Sequence, residues 1–185
     1  MHRTLFTVVL LLALPGLGAE RASKARVSAN GMYSVRLVES APGQCRVEMG
    51  RESGVVWQFT GCVGTVDDLY FASNDGERFW VLHPLAEMGT KGTVQVKGKK
   101  KVRIPAWANT TVAVLYDKAG QKLREKRLPD FLSPKEFGEV RQLKGHFKWL
   151  EGTLGIPGKG PRLTDSEKVE FEVVGGKKHQ LSFES

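Results

Sequence analysis

The segment from Lys91 to Arg103 carries the densest group of charged side chains in the sequence, and no acidic residue occurs between Glu87 and Asp117. Ammonium and guanidinium groups at this density attract phosphate and carboxylate groups. Alternating valines and Gly98 predict a β-hairpin with its turn at the glycine. Lysines on an exposed strand also prevent edge-to-edge pairing of sheets, so the segment is either an anion-binding hairpin or a solvated edge. Its candidate anion-binding residues are Lys97, Lys99, Lys100, Lys101 and Arg103.

The net charge of +8 favours anionic surroundings such as acidic glycans, phosphorylated lipids or nucleic acid. Binding to single-stranded nucleic acid uses aromatic rings as stacking platforms among the cations, and residues 91–103 contain no aromatic residue. Nucleic acid is therefore not an expected partner. A second basic cluster, residues 177–179, extends the cationic surface only if the fold brings it beside the first.

The first nineteen residues have the organisation of a secretory signal peptide: the basic residue Arg3, the apolar run Leu5–Leu14 and then small residues. The apolar run is too short to cross a bilayer, which takes about twenty residues, and no later stretch approaches that length. We expect cleavage after Gly18 or Ala19, and an uncleaved N-terminal anchor is the alternative. We expect the mature chain, residues 20–185, to be a single periplasmic or secreted domain. Its net charge is +7, because Arg3 is removed with the signal.

The chain has two cysteines, Cys45 and Cys62, which enclose sixteen residues. In an exported protein a disulfide between them is the default expectation. Closing a loop of this length stabilises a fold by about 3 kcal/mol. The spacing is not the C-x-x-C of a redox enzyme, and a zinc site would need further ligands. Two free buried thiols are the alternative.

No catalytic or metal-binding motif occurs in the sequence. The mature histidines His83, His146 and His179 are far apart, and none has a second His or Cys at metal-ligand spacing. Neither a G-x-S-x-G elbow nor a P-loop is present. Asp67 and Asp68 are interpreted as turn formers, because neighbouring side chains on a strand point to opposite faces. We therefore expect no cofactor and no metal, and we favour a non-enzymatic protein; an envelope hydrolase with carboxylates from separate strands is the alternative.

Alternation of apolar and polar residues dominates the mature sequence and predicts an all-β domain of antiparallel sheets. Glycine-containing turns separate nearly all of the predicted strands, as expected for hairpins. The predicted strands are centred on residues 33–37, 45–49, 55–59, 69–72, 79–82, 94–96, 102–104, 112–116, 147–149, 169–173 and 181–183. Among the four tryptophans, Trp80 is expected to face a partner, because Phe79 and Val81 would take the opposite face of their strand.

One helix is expected within this β pattern. Ser133, Pro134 and Glu136 have the spacing of a capping box with proline at the first helical position. The motif predicts a short helix over residues 134–143. The segment from Gly152 to Arg162 contains four glycines and two prolines, and it is expected to form a loop.

Turns recur along the chain at a nearly constant interval. The turn positions 31, 76, 120 and 166 are separated by 45, 44 and 46 residues. A period of this size is typical of propeller blades, but too few units fit for a closed propeller. The sheets are therefore expected to adopt either a propeller-blade-like or a sandwich arrangement.

Three segments resemble a group of uncharacterised exported bacterial β-rich proteins with propeller-blade-like hairpin repeats. They are residues 73–76 (SNDG), residues 112–120 (VAVLYDKAG) and residues 128–134 (LPDFLSP), followed by an aromatic strand at residues 146–149. The resemblance covers about residues 70–172 and implies a β-rich, blade-like fold. It implies no activity and no site residue.

Together these patterns indicate an exported binding or structural module of the bacterial envelope. Its expected partner is an anionic envelope glycan or lipid, or an envelope protein, and no membrane span is expected after the signal is removed.

Overall fold

The computed structural model describes residues 19–152 and 160–184. The expected signal peptide, except for Ala19, lies outside the described residues, as do positions 153–159 of the expected glycine-rich loop. No helix in the described residues is long and apolar enough to cross a membrane. The strands within them are β1 (Arg21–Ala22), β2 (Arg26–Val27), β3 (Ser34–Ala41), β4 (Gln44–Arg51), β5 (Gly54–Thr60), β6 (Leu69–Ala72), β7 (Arg78–Leu82), β8 (Leu85–Glu87), β9 (Thr93–Lys97), β10 (Lys100–Ile104), β11 (Thr111–Asp117), β12 (Lys122–Arg127), β13 (Arg141–Gln142), β14 (His146–Lys148), β15 (Arg162–Leu163), β16 (Lys168–Glu172) and β17 (Lys178–Ser182).

These strands form antiparallel sheets, which confirms the all-β prediction. The first sheet has the order β1-β3-β4-β5, with β2 also paired to β3. The central sheet has the order β12-β11-β7-β6. Two three-stranded sheets, β13-β14-β8 and β15-β16-β17, follow it, and β9 pairs with β10 as a separate hairpin.

The central sheet is covered on both faces. Tyr70 and Phe79 belong to a cluster shared with the first sheet, whereas Phe71 and Trp80 belong to a larger cluster shared with the two three-stranded sheets. Alternate residues of β6 and β7 therefore enter opposite cores, because successive side chains on a strand point to opposite faces. The result is a sandwich-like stack with the central sheet in the middle layer.

The expectation that Trp80 faces a partner is wrong. The residue is 0% exposed, and its indole Nε1 donates a hydrogen bond to the Ser182 carbonyl oxygen at 3.1 Å. Alternation correctly placed Phe79 and Trp80 on opposite faces of β7. The face that carries Trp80 is covered by another sheet and is not open to solvent.

The recurring turns share one hydrogen-bond pattern and join the hairpins β2–β3, β6–β7, β11–β12 and β15–β16. In each turn the amide of the fourth residue donates to the carbonyl of the first, at 2.9–3.1 Å. The side-chain oxygen of the first residue accepts a further bond from the amide four or five positions later. The first residues are Ser28, Ser73, Asp117 and Thr164. The repeat is therefore a repeat of hairpins, and these hairpins belong to sheets of unequal size.

Three of these turns meet at one end of the stack. The Asn30 amide donates to Asn74 Oδ1 at 2.8 Å, and Asn30 Nδ2 donates to the Asn74 carbonyl at 2.9 Å. The Asn74 amide in turn donates to Glu167 Oε1 at 2.6 Å. These bonds connect the first sheet, the central sheet and the sheet that contains β15–β17.

The predicted helix over residues 134–143 is much shorter than expected. Its capping interaction forms, since the Ser133 amide donates to Glu136 Oε2 at 2.5 Å. Only a 3-10 turn over Glu136–Glu139 follows, and Val140 is already extended. Gly138 within that turn disfavours a helix, and residues 141–142 pair with β14 instead. A one-turn α-helix, α1, occurs earlier, at Leu128–Phe131.

The predicted disulfide is present: Cys45 on β4 is bonded to Cys62, which follows β5. The Gly61 amide also donates to the Cys45 carbonyl at 2.8 Å. The crosslink therefore closes the open end of the β4–β5 hairpin, where the chain leaves the first sheet for the central one.

Candidate functional site

The basic segment forms the predicted hairpin, which we name the cationic arm (residues 91–104). Strands β9 and β10 pair from Thr93 opposite Ile104 to Lys97 opposite Lys100. The two-residue loop between them begins with Gly98, whose φ of 63° suits a tight hairpin turn that places glycine first. The segment folds this way because alternating valines favour strands and glycine permits the turn.

The cations of the arm whose side chains the structure describes face solvent and lack acidic partners among the described residues. The side chains of Lys99, Lys100, Lys101 and Arg103 are exposed, and within the described residues none of them forms an ion pair. The Lys97 side chain lies outside what the structure describes. By contrast, eight basic side chains elsewhere pair with carboxylates: Arg21, Arg36, Arg46, Arg78, Lys118, Lys122, Arg127 and Arg162. The positive charge of the arm is therefore not neutralised by the described part of the protein.

The base of the arm is attached firmly to the body. Ile104 is 1% exposed in the larger core cluster, and Asn109 Nδ2 donates to the Lys91 carbonyl at 2.9 Å. The Gly89 amide donates to the Trp107 carbonyl at 3.1 Å. A Cβ on Gly89 would lie 2.4 Å from the Ala106 carbonyl oxygen, so only glycine permits this close approach. The arm thus extends from a fixed base.

The second basic cluster does not join the arm through strand pairing. Its residues Lys178 and His179 belong to β17, which pairs with β16. The His179 ring packs against Phe131 and Phe171, with ring centroids 5.2 and 5.9 Å apart. Burial and the neighbouring Lys177 lower the pKa of His179, and its Nε2 is buried without a hydrogen-bond partner among the described residues. This histidine belongs to the packed core.

A cleft of about 680 Å³ lies beside the point where the arm leaves the body. Its lining includes Glu87, four residues before the arm, and Thr110, which follows the Asn109 that holds the arm. Cys62 and Lys144 also line it. Asp68 and His83 are among the polar residues that line it, and their Oδ2 and Nδ1 atoms are 3.1 Å apart.

Asp68 is held by the turn that precedes β6. Its Oδ2 accepts bonds from the Thr65 amide at 2.7 Å and the Thr65 hydroxyl at 3.2 Å. The Tyr70 hydroxyl donates to the Thr65 carbonyl at 2.8 Å, and burial, with the Asp68 charge beside it, raises the pKa of Tyr70 well above its usual range. A Cβ on Gly64 would lie 2.7 Å from Asp68 Oδ2, so a larger residue here would displace this carboxylate. The interpretation of Asp68 as a turn former is therefore correct, but incomplete.

His83 lies beside this carboxylate. Its side chain is 19% exposed and that of Asp68 is 9% exposed. The His83 carbonyl accepts a bond from Trp149 Nε1 at 2.7 Å, which fixes the backbone. His83 Nε2 makes no hydrogen bond in the described residues, and it is not among their buried unpartnered atoms. The Nε2 atom is therefore accessible to a ligand or to water, as a general base must be.

Sequence reasoning missed this pair because Asp68 and His83 match no motif. The signal that could have found them is the register of the β6–β7 hairpin, in which Leu69 lies opposite Leu82 and the next positions are Asp68 and His83. His146 lines the same cleft but is exposed and has no carboxylate partner among the described residues. No group of three or more His, Cys, Asp or Glu side chains in the described residues is arranged to hold a metal ion.

Comparison of the chain with protein-family models, with curated proteins and with solved structures finds no match in any of the three. The resemblance of residues 70–172 to exported bacterial β-rich proteins therefore stays a prediction. Function has to be inferred from the arm and the cleft themselves.

Proposed function

We propose that the protein is an exported binding module of the bacterial envelope, and that its cationic arm holds an anionic envelope component. The observation that carries this proposal is a set of four exposed cations on one hairpin that have no acidic partner within residues 19–152 and 160–184, namely Lys99, Lys100, Lys101 and Arg103. A cluster of one sign attracts ligands of the other sign and raises their local concentration.

The distribution of charge favours a ligand over a merely solvated edge. The mature chain has a net charge of +7, and the arm holds six of its basic residues and no acidic one. The rest of the mature chain therefore has a net charge of only +1. A sheet edge can be protected by one or two lysines. Concentrating nearly all of the net charge on one short hairpin increases self-repulsion, which a bound anion would relieve.

The test replaces three arm lysines in the variant Lys99→Gln, Lys100→Gln, Lys101→Gln and measures retention on envelope fractions and on polyphosphate. Each cation near an anionic surface strengthens binding about fivefold, so the triple variant should bind about 100-fold more weakly at low salt. Binding of the unmodified protein should also weaken as salt rises, because salt screens exposed charges over about 10 Å.

A matched control removes the same net charge elsewhere. The variant Lys24→Gln, Lys135→Gln, Lys168→Gln changes three exposed lysines outside the arm and should bind as the unmodified protein does. Equal loss in the two variants would mean that total charge, not the arm, determines binding. Retention that depends neither on salt nor on the arm lysines would refute the proposal.

A hydrolase is the second candidate function, and the Asp68–His83 pair favours it. His83 Nε2 would take a proton from a water molecule whose oxygen bonds to an ester carbonyl carbon, and the departing alkoxide would receive that proton as the ester C–O bond breaks. General-base catalysis contributes about 10²- to 10⁴-fold, which suits an ester better than a glycosidic bond, for which a pair of carboxylates is the usual arrangement.

This candidate is tested by hydrolysis of 4-nitrophenyl acetate with His83→Gln and His146→Gln. Both histidines line the cleft, but among the described residues only His83 lies within ion-pair distance of a carboxylate. Loss of activity of about 100-fold in His83→Gln alone supports the hydrolase. Equal rates in the two variants show that the hydrolysis is only the background reactivity of an imidazole.

A further inference from the structure

The two faces of the cationic arm differ in chemistry. Residues directly opposite each other in an antiparallel pair place their side chains on the same face. Val94 lies opposite Arg103, and Val96 lies opposite Lys101, so these four side chains share one face. The other face includes Ile104, which enters the core.

The valine-containing face is open to solvent. Val94 is 57% exposed and Val96 is 68% exposed. Val102 lies on the opposite face of the arm and packs against the larger core cluster of the body. The arm therefore presents apolar side chains flanked by cations without acidic partners in the described residues, on a base that the body fixes.

From this arrangement we infer that the face formed by Val94, Val96, Lys101 and Arg103 binds the surface of a lipid bilayer that has anionic phosphate headgroups. The inference rests on the proposed function and names the partner of the same arm. Valine methyl groups enter the boundary between headgroups and acyl chains, while the long lysine and arginine side chains reach the phosphates.

Charge complementarity alone would suit a soluble polyanion equally well. A soluble polyphosphate offers no apolar surface that buries Val94 and Val96, so these exposed side chains gain nothing from such a ligand. A bilayer satisfies both halves of the face at once, because apolar burial and attraction to anionic lipids add together at an interface.

The experiment measures binding of the full chain to vesicles of phosphatidylglycerol and phosphatidylcholine, to vesicles of phosphatidylcholine alone, and to soluble polyphosphate. The test variant is Val94→Ser, Val96→Ser. The matched control is Val55→Ser, Val56→Ser, because these valines of β5 are similarly exposed, at 54% and 50%. Circular dichroism verifies that each variant is folded.

We expect the unmodified protein to bind the anionic vesicles and not the neutral ones. Losing the two half-exposed valines of the arm should weaken vesicle binding about 10- to 30-fold and leave polyphosphate binding unchanged. The control variant should bind the vesicles as the unmodified protein does. The difference in vesicle binding between the unmodified protein and the valine variant should persist in high salt, because salt screens charges but not the burial of apolar surface.

Two results overturn the inference in different ways. If Val94→Ser, Val96→Ser binds anionic vesicles as tightly as the unmodified protein, the valine face does not contact lipid, although the arm still binds anions through its lysines. If the variant Lys99→Gln, Lys100→Gln, Lys101→Gln also retains binding to vesicles and polyphosphate, the proposed function itself fails.

Discussion

Substitution of Glu167 tests whether contacts between the recurring hairpin turns stabilise the stack of three layers. Glu167 occupies the position that glycine takes in the other three turns, at residues 31, 76 and 120, and its φ is 57°. A residue with a side chain in this left-handed region costs roughly 1 kcal/mol. Its carboxylate accepts the bond from the Asn74 amide at 2.6 Å, which links two sheets.

The size of the effect follows from these two contributions. A hydrogen bond to a charged group stabilises a fold by about 1.5–3 kcal/mol, and the lower figure applies because Glu167 is only half-buried. Glu167→Ala loses the bond and keeps the backbone strain, so the free energy of unfolding should fall by about 1.5 kcal/mol. Glu167→Gly loses the bond but is relieved of the backbone strain, so its free energy of unfolding should be only about 0.5 kcal/mol below that of the unmodified protein.

Urea denaturation followed by tryptophan fluorescence measures both variants, with Asp165→Ala as the control. Asp165 lies in the same turn, and its side chain makes no hydrogen bond within the described residues, so the control should unfold as the unmodified protein does. A glycine variant that is no more stable than the alanine variant would show that the turn stores no strain. An alanine variant as stable as the unmodified protein would show that the bond between the sheets contributes nothing.

Two further predictions concern stability. Replacing Cys45 and Cys62 by serine should lower the free energy of unfolding by about 3 kcal/mol through loss of loop closure, and an unchanged urea midpoint under reducing conditions would contradict this. Burial lowers the pKa of His179, so the unfolded chain takes up this proton first as the pH falls below about 6.5. The free energy of unfolding should therefore decrease between pH 7 and pH 5; the His179→Gln variant should lose that part of the decrease, whereas His146→Gln should keep it.

Local patterns in the sequence predicted much of the fold. Strand positions follow from alternation of apolar residues, and glycine at left-handed positions marks the hairpin turns, because both depend on neighbours in the chain. The disulfide was predictable because the expected export signal favours oxidised cysteines, and two cysteines have one way to pair. The hairpin of the cationic arm belongs to the same class, since its strands and its turn are adjacent.

The tertiary structure alone decided features that depend on distant residues. Trp80 is buried because a second sheet covers its face, and no property of β7 reveals that cover. The predicted helix gave way to β13 because residues 141–142 find a partner in β14. The Asp68–His83 pair follows from the register of the β6–β7 hairpin, in which Leu69 lies opposite Leu82, but the cleft around the pair is lined by distant residues such as Thr110 and Lys144. Alternation determines which side chains share a face, but what covers that face is decided by how the sheets stack.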